Sequence, residues 1–222
     1  MPNNTGKTKK KSKKSGSGTR KNANTNARAL PKNENLRLEI ACNDLYKGTR
    51  GGALMKFLEH FVEKGEFNDI PVYLNETVDN NYVESYIMDN IEEEYRLCKE
   101  LIEVEDIYIS FRTDWKPERR VLITLWLDDK IIGVCMFALR NMGMGNKTPK
   151  QELHLYVDYL CGSIYKGVGT ILVNLLKAMM KEYKAKSMYM ESLSSAVPFY
   201  RKKGFKVVSN EYNTTYMEFR QP

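Results

Sequence analysis

Histidine is scarce in this chain of 222 residues: His60 and His154 are the only two, too few for a histidine-based metal site. Cysteine is scarce as well. Cys42, Cys98, Cys135 and Cys161 have the spacing of neither a zinc site nor a small disulfide scaffold, and each lies inside an apolar pattern. They read as reduced, buried thiols, which places the protein inside the cell, in cytoplasm or nucleus. No apolar run approaches the ~20 residues of a membrane-spanning helix, so no membrane partner is expected. The first residues lack the apolar core of a secretion signal.

Acid is absent from residues 1–33, which carry ten Lys or Arg. The remaining residues hold 25 basic against 28 acidic side chains, so the formal net charge of +7 belongs to this segment alone. The segment also has almost no apolar residues, and its composition of Lys, Asn, Ser, Gly and Thr reads as a disordered tail. Its lysines suit a nuclear address or nonspecific contact with nucleic acid or another polyanion, and equally a solubilising segment. Residues 34–222 then form one domain, long enough for a sizeable core.

Within that domain, Leu36 to Ala41 alternates like a strand. Leu54, Phe57, Leu58, Phe61 and Val62 recur at helical spacing, with a turn at Gly65. Ile70 to Leu74 reads as an edge strand, since Pro71 has no N–H for a ladder. Asp79 to Val104 has a long helical pattern whose acids either face a cationic acceptor or line a solvated surface. Ile107 to Arg112 reads as a strand. Val121 to Trp126 and Lys130 to Leu139 form a hairpin across Asp128 and Asp129, and 141–150 is a loop. A strand over Glu152 to Cys161 precedes a helix marked by Val168, Ile171, Leu172, Leu175, Met179 and Tyr183. Ser187 to Glu191 is a short strand, Ser194 to Lys203 a short helix, and Phe205 to Val208 with Thr215 to Phe219 a closing pair. Strands outnumber helices and mix hairpins with crossovers, which predicts an α+β fold with one mixed sheet.

Two stretches carry chemistry. Lys166, Gly167, Val168 and Gly169 lie where the strand ending at Cys161 becomes a helix. Glycine lets bare backbone approach a ligand, and a helix start offers about four unpaired N–H donors with roughly half a positive charge. That is an anion site, commonly a phosphate site. One helix and one strand later comes SAVPFYRKKGF, Ser195 to Phe205.

Together the two stretches resemble the GNAT family of acetyl-CoA-dependent N-acetyltransferases. That family pairs an Arg/Gln-x-x-Gly-x-Gly/Ala loop with a later Ala-x-x-Phe/Leu-Tyr-x-x-x-Gly-Phe. The second motif is complete in Ala196, Phe199, Tyr200, Gly204 and Phe205. The first has Ile164 where Arg or Gln is usual, but keeps Lys166 beside the glycine. The likeness is best over residues 119–220. It implies a mixed, mostly antiparallel twisted sheet flanked by helices, with more elements before residue 105 than the family usually has. It also implies acetyl-CoA as co-substrate, an amine-bearing acceptor (a protein or a small molecule) and no metal.

The resemblance further implies that Tyr159, Leu160 and Cys161 pair through backbone with the pantetheine arm. The N–H groups from Lys166 through Gly167, Val168 and Gly169 to Thr170 would face the diphosphate. Tyr200 matches the family's acid for the departing thiolate. For the base, period-two alternation puts Glu152, His154, Tyr156 and Asp158 on one face. Asp158 is nearest the loop and is the first candidate; Glu191 is the second. A bulge near Cys161 would alter that phase. Cys161 itself has no adjacent activating base, so it reads as a small strand residue. The alternative reading is a domain that binds CoA or a partner without catalysing.

Overall fold

The computed structural model describes residues 28–30, 35–43, 51–78, 120–142, 152–163, 165–211 and 214–221. The strands are β1 (Arg28–Ala29), β2 (Leu36–Asn43), β3 (Glu66–Phe67), β4 (Ile70–Val78), β5 (Arg120–Leu127), β6 (Lys130–Met142), β7 (Glu152–Gly162), β8 (Tyr165–Lys166), β9 (Ser187–Leu193), β10 (Lys206–Glu211) and β11 (Thr214–Arg220). The helices are α1 (Gly51–Val62), α2 (Val168–Glu182) and α3 (Val197–Lys202). The expected helix over Asp79 to Val104 and strand over Ile107 to Arg112 lie outside the described residues. None of the described helices is long and apolar enough to cross a membrane.

Among the described residues, nine strands form one sheet in the order β10-β11-β9-β7-β6-β5-β2-β4-β3. Its neighbours run antiparallel except for β2 with β4 and β7 with β9, so the fold is α+β with a mixed, mostly antiparallel sheet. The hairpin turn falls at Asp128 and Asp129 as the sequence predicts; Asp128 takes a φ of 53°, which a short polar side chain tolerates. β4 has only the two-residue β3 beyond it, and Pro71 lies opposite Glu66 there. β5 is rich in β-branched residues and buried along its whole length, as a strand covered on both faces must be.

The core lies between one face of the sheet and the helices α1 and α2. Leu38, Ile40, Ile123, Leu125, Cys135 and Phe137 meet Leu172, Leu176 and Met179 there, all fully buried. Helix α1 adds Leu58 and Phe61, and its Phe57 ring lies 3.9 Å from that of Tyr183, the last residue of the α2 turn. Lys64 and Glu182 close the same junction at 2.6 Å.

Two glycines bring α2 flush against the sheet. Gly133 of β6 and Gly162 of β7 face each other across the ladder. A Cβ on Gly133 would stand 2.6 Å from Val168 Cγ1 and 3.2 Å from Leu172 Cδ1; one on Gly162 would stand 3.1 Å from Val168 Cγ1. Val168, the first residue of the helix, occupies that space and is buried. Gly133→Ala is therefore expected to cost about 1–3 kcal/mol by overpacking, read as a lower denaturant midpoint, and to lift the start of α2 off the sheet.

On the opposite face, His154 is buried with Nδ1 2.6 Å from Ser187 Oγ. Burial lowers its pKa below the ordinary 6.5; Glu152 opposes the shift and Lys186 adds to it. The unfolded chain therefore takes up a proton at higher pH than the folded one. The stability this contributes is complete above pH 6.5 and is lost as pH falls below it. Glu152 and Glu182, held below the usual 4.5 by hydrogen bonds from Lys186 and Lys64, act only at lower pH. Urea midpoints at about pH 7.5 and about pH 5.5 should differ in the native chain and differ less in His154→Gln.

Candidate active site

The site grows from an irregularity in β7. Its register with β6 pairs Phe137 with Val157 but Met136 with Tyr159, so Asp158 is the extra residue of a β-bulge. Before it, His154 and Tyr156 share a face with Ala138 and Arg140; after it, Tyr159 and Cys161 take over that face, opposite Met136 and Val134. The bulge lies three residues before Cys161 and shifts the alternation there, as the sequence allows.

The parallel ladder between β7 and β9 stops at the same place. It pairs His154, Leu155, Tyr156 and Val157 with Ser187, Met188, Tyr189 and Met190. Both strands continue past it, β7 to Gly162 and β9 to Leu193, without further pairing to each other. A sheet of strands about 4.8 Å apart has opened into a wedge, and bulges bend strands in this way. Tyr159, Leu160 and Cys161 line its β7 arm. Cys161 corrects the reading of free thiols: it is disulfide-bonded. Among the described residues Cys135 is free and buried, and burial followed by the nearby Asp158 carboxylate pushes its pKa far up.

The predicted anion loop follows β7 across the two-residue β8, whose second residue is Lys166. Gly167 is the N-cap of α2 with φ 103° and ψ −23°, a left-handed conformation natural to glycine. No side chain caps this helix and no acid stands in its first turn. The N–H groups at its start are therefore presented without a competing carboxylate. Lys166 is exposed beside them, while the Val168 side chain is buried and leaves only backbone for a ligand. Gly169 serves packing: a Cβ there would meet Phe199 Cζ at 3.2 Å. The two sequence motifs thus touch, Gly169 of the first beneath Phe199 of the second.

Tyr200 follows in α3, edge-on to Phe199 at 5.0 Å and to Phe205 at 5.6 Å. It is largely buried, and burial first, then the Cys135 thiol, raises its pKa above the usual range for a phenol. Lys177 of α2 fixes this region. It donates to the Lys203 carbonyl at 2.5 Å, lies 4.0 Å over the Phe219 ring, and has its pKa lowered by burial and then by Lys203.

The two carboxylates flank the base of the wedge, Asp158 one residue past Val157 and Glu191 one residue past Met190. Their surroundings differ. Asp158 accepts from Arg120 Nε at 3.0 Å and faces Arg140 Nη2 at 3.8 Å; the Arg120 and Asp158 side chains are only 5% and 10% exposed. Glu191 is exposed and accepts from Tyr156 Oη at 2.8 Å and from Tyr216. Burial, then Glu191, raises the pKa of Tyr156, and Arg140 stacks over its ring at 4.1 Å. Sequence spacing could not find Arg120 and Arg140, since neither belongs to a motif. Only the register of β5, β6 and β7 brings them to Asp158. Among the described residues, no three His, Cys, Asp or Glu side chains gather as a metal would need.

A bulged, opened strand pair thus leads into an acid-free helix start, and the aromatic second motif packs against it. The sequence model of the Acetyltransferase (GNAT) family matches residues 86–205, more than half of the chain, and the protein belongs to that family. Solved structures similar to it include an acetyltransferase from Thermus thermophilus, at 18% identity and a TM-score of 0.46, covering 65% of this chain and 94% of that one. Another is the PaiA N-acetyltransferase from Thermoplasma acidophilum in complex with coenzyme A, at 17% identity and a TM-score of 0.39, covering 83% and 99%. A third is Arabidopsis thaliana Naa50 in complex with the bisubstrate analogue CoA-Ac-MVNAL, at 14% and 0.39, covering 84% and 99%. No curated protein matches the chain.

Proposed function

We propose that this protein transfers an acetyl group from acetyl-CoA to a primary amine by direct attack, the acceptor being a protein lysine, a protein N-terminus or a small amine. The observation that carries the reading is the wedge between β7 and β9 with the uncapped start of α2 at its end. Residues fit each part of the co-substrate. The backbone of Tyr159, Leu160 and Cys161 offers the arm a strand-like partner. The N–H groups from Lys166 to Thr170 face a diphosphate, and the Lys166 side chain adds a point charge. Acetyl-CoA supplies the acetyl group as a thioester. A backbone N–H near Cys161 is a donor for the negative charge that develops at the carbonyl, an effect typically worth about 3–4 kcal/mol.

The acceptor must lose a proton. An amine with a pKa near 10.4 costs about 4–5 kcal/mol to neutralise at pH 7. Asp158, the first candidate from sequence, is already committed to two guanidinium groups, and neutralising it would leave their charge uncompensated in a buried place. Glu191 is better placed: it is exposed at the base of the wedge and passes a proton on to solvent, with Tyr156 and Tyr216 holding it. We assign Glu191 as the proton acceptor and Asp158 as the anchor of the bulge. Glu191→Gln is expected to lower kcat/KM about 10- to 100-fold near neutral pH, with the loss shrinking as pH approaches the pKa of the acceptor amine. A loss independent of pH would remove Glu191 from this role.

A second reading, a domain that binds CoA without catalysing, draws on the locked Asp158 and the raised pKa of Tyr200. Two measurements on the full chain separate the readings. Calorimetry with acetyl-CoA should give micromolar binding, and an amine screen should then show release of free CoA thiol. Binding without release favours the second reading. No binding by the folded chain defeats both.

A further inference from the structure

Register sets Tyr156 of β7, Tyr189 and Glu191 of β9, and Tyr216 and Glu218 of β11 on the face of the sheet away from α2. Their neighbours along the strands, Val157, Met190 and Met217, lie in the core on the other face. The carboxylates here are paired with bases, with one exception. Glu218 pairs with Arg220 at 2.7 Å and Glu152 with Lys186 at 2.5 Å. Asp158 is held by Arg120 and Arg140. Among the described residues, no Lys, Arg or His forms an ion pair with Glu191, whose partners are the hydroxyls of Tyr156 and Tyr216. Arg140 stacks on the Tyr156 ring at 4.1 Å, but its guanidinium faces Asp158 instead, at 3.8 Å.

Glu191 is exposed and stands at the base of the wedge. An ionised carboxylate offers about four acceptor positions, and two hydroxyls fill two of them. The half-buried tyrosines stand around it. Tyr216 is its register partner on β11, Tyr189 is two residues before it on β9, and Tyr156 is the partner of Tyr189 on β7. Tyrosine rings attract cations through their negative faces and shelter the carbons beside the charge. An alkylammonium brings N–H donors together with the positive charge that Glu191 lacks. Hydrogen bonds between opposite charges are about twice as strong as neutral ones. An arylamine, uncharged at neutral pH, gains neither benefit.

We propose that Glu191 and its tyrosines select the acceptor, an aliphatic amine that arrives as its ammonium ion. The inference rests on the acetyl-CoA reading above and narrows the class of acceptor. Tyr156 and Tyr216 are positioning residues that hold the carboxylate through their hydroxyls.

The probes are n-butylammonium and n-butanol, alike in length and different in charge at about pH 7. Their affinities for the full chain are read from the ring signals of isotope-labelled tyrosine in NMR titrations, without co-substrate. The native chain is expected to bind the ammonium at least ~10-fold more tightly than the alcohol. Glu191→Gln should remove the difference. Tyr216→Phe keeps the ring, loses the hydroxyl, and should shrink the difference about 3-fold. Equal affinities in the native chain overturn the proposal, as does a preference that survives Glu191→Gln. An unchanged preference in Tyr216→Phe overturns the positioning role of that tyrosine. Acetyl-CoA is then added with butylamine and release of the CoA thiol is followed. A charge preference without release defeats the acetyl-CoA reading and with it the acceptor role, while the cation site itself stands.

Discussion

Replacing Gly167 with proline is expected to abolish coenzyme A binding while the sheet stays folded. Gly167 holds φ at 103°, and the proline ring would fix it near −65°, about 170° away. Its carbonyl accepts the first helical bond from Ile171 N–H at 3.0 Å, so the start of α2 turns with it. Nothing lies within 4 Å of a Cβ at this position, so the penalty is in the backbone torsion and not in a clash. That separates it from Gly133, where the obstacle is steric. Gly167→Ala should accordingly be milder, with a torsional cost of about 1–2 kcal/mol and a graded loss of affinity. Calorimetry measures the affinity, and circular dichroism confirms that the fold persists. Native affinity in a folded Gly167→Pro protein would take the loop out of the cofactor site.

The second large effect is expected at Tyr200. Phenylalanine keeps the edge-on packing against Phe199 and Phe205 and removes only the hydroxyl. Turnover should fall about 10- to 1000-fold, with KM for acetyl-CoA little changed. The size of the effect is bounded by acidity. A phenol near pKa 10 is already a weaker acid than a thiol near 8.5, and burial makes Tyr200 weaker still. The proton therefore moves uphill unless the bound ligand redistributes charge around it. Unchanged kcat, with the chemical step shown to be rate-limiting, would assign Tyr200 to packing. Tyr200→Ala is a poorer test, because emptying a buried aromatic site costs about 3–5 kcal/mol of stability by itself.

The sequence made legible whatever depends on neighbours along the chain. The stripe from Val168 to Met179 declared α2, the aspartate pair declared the β5–β6 turn, and the glycines declared the loop. It also allowed for the bulge, since one extra residue near Cys161 would alter the alternation there. What stayed hidden was set by register between distant strands. Gly133 looks like an ordinary strand residue until Gly162 is placed opposite it and Val168 above both. Asp158 looks like a free base until β5 and β6 deliver Arg120 and Arg140. Composition assigned Arg28 and Ala29 to the tail because a two-residue strand has no periodicity to detect; only its partner β8 defines it. The disulfide at Cys161 was concealed by the apolar setting that suggested a thiol.

The wedge also divides the sheet into unequal lobes. β9, β11 and β10 form the smaller, six strands the larger, and only four register pairs join them below the opening. Lys177 and the contact of Phe199 with Gly169 lean the small lobe on α2. Such a lobe is a cooperative unit that can loosen before the rest. A ligand lying in the wedge would touch both arms and supply the bonds the ladder omits there, becoming in effect a missing strand. At a hundredfold excess over its dissociation constant it would add about 2.7 kcal/mol to the folded state. On the acetyl-CoA reading, the rigidity of the lobe from β9 to β11 would then follow the supply of that molecule.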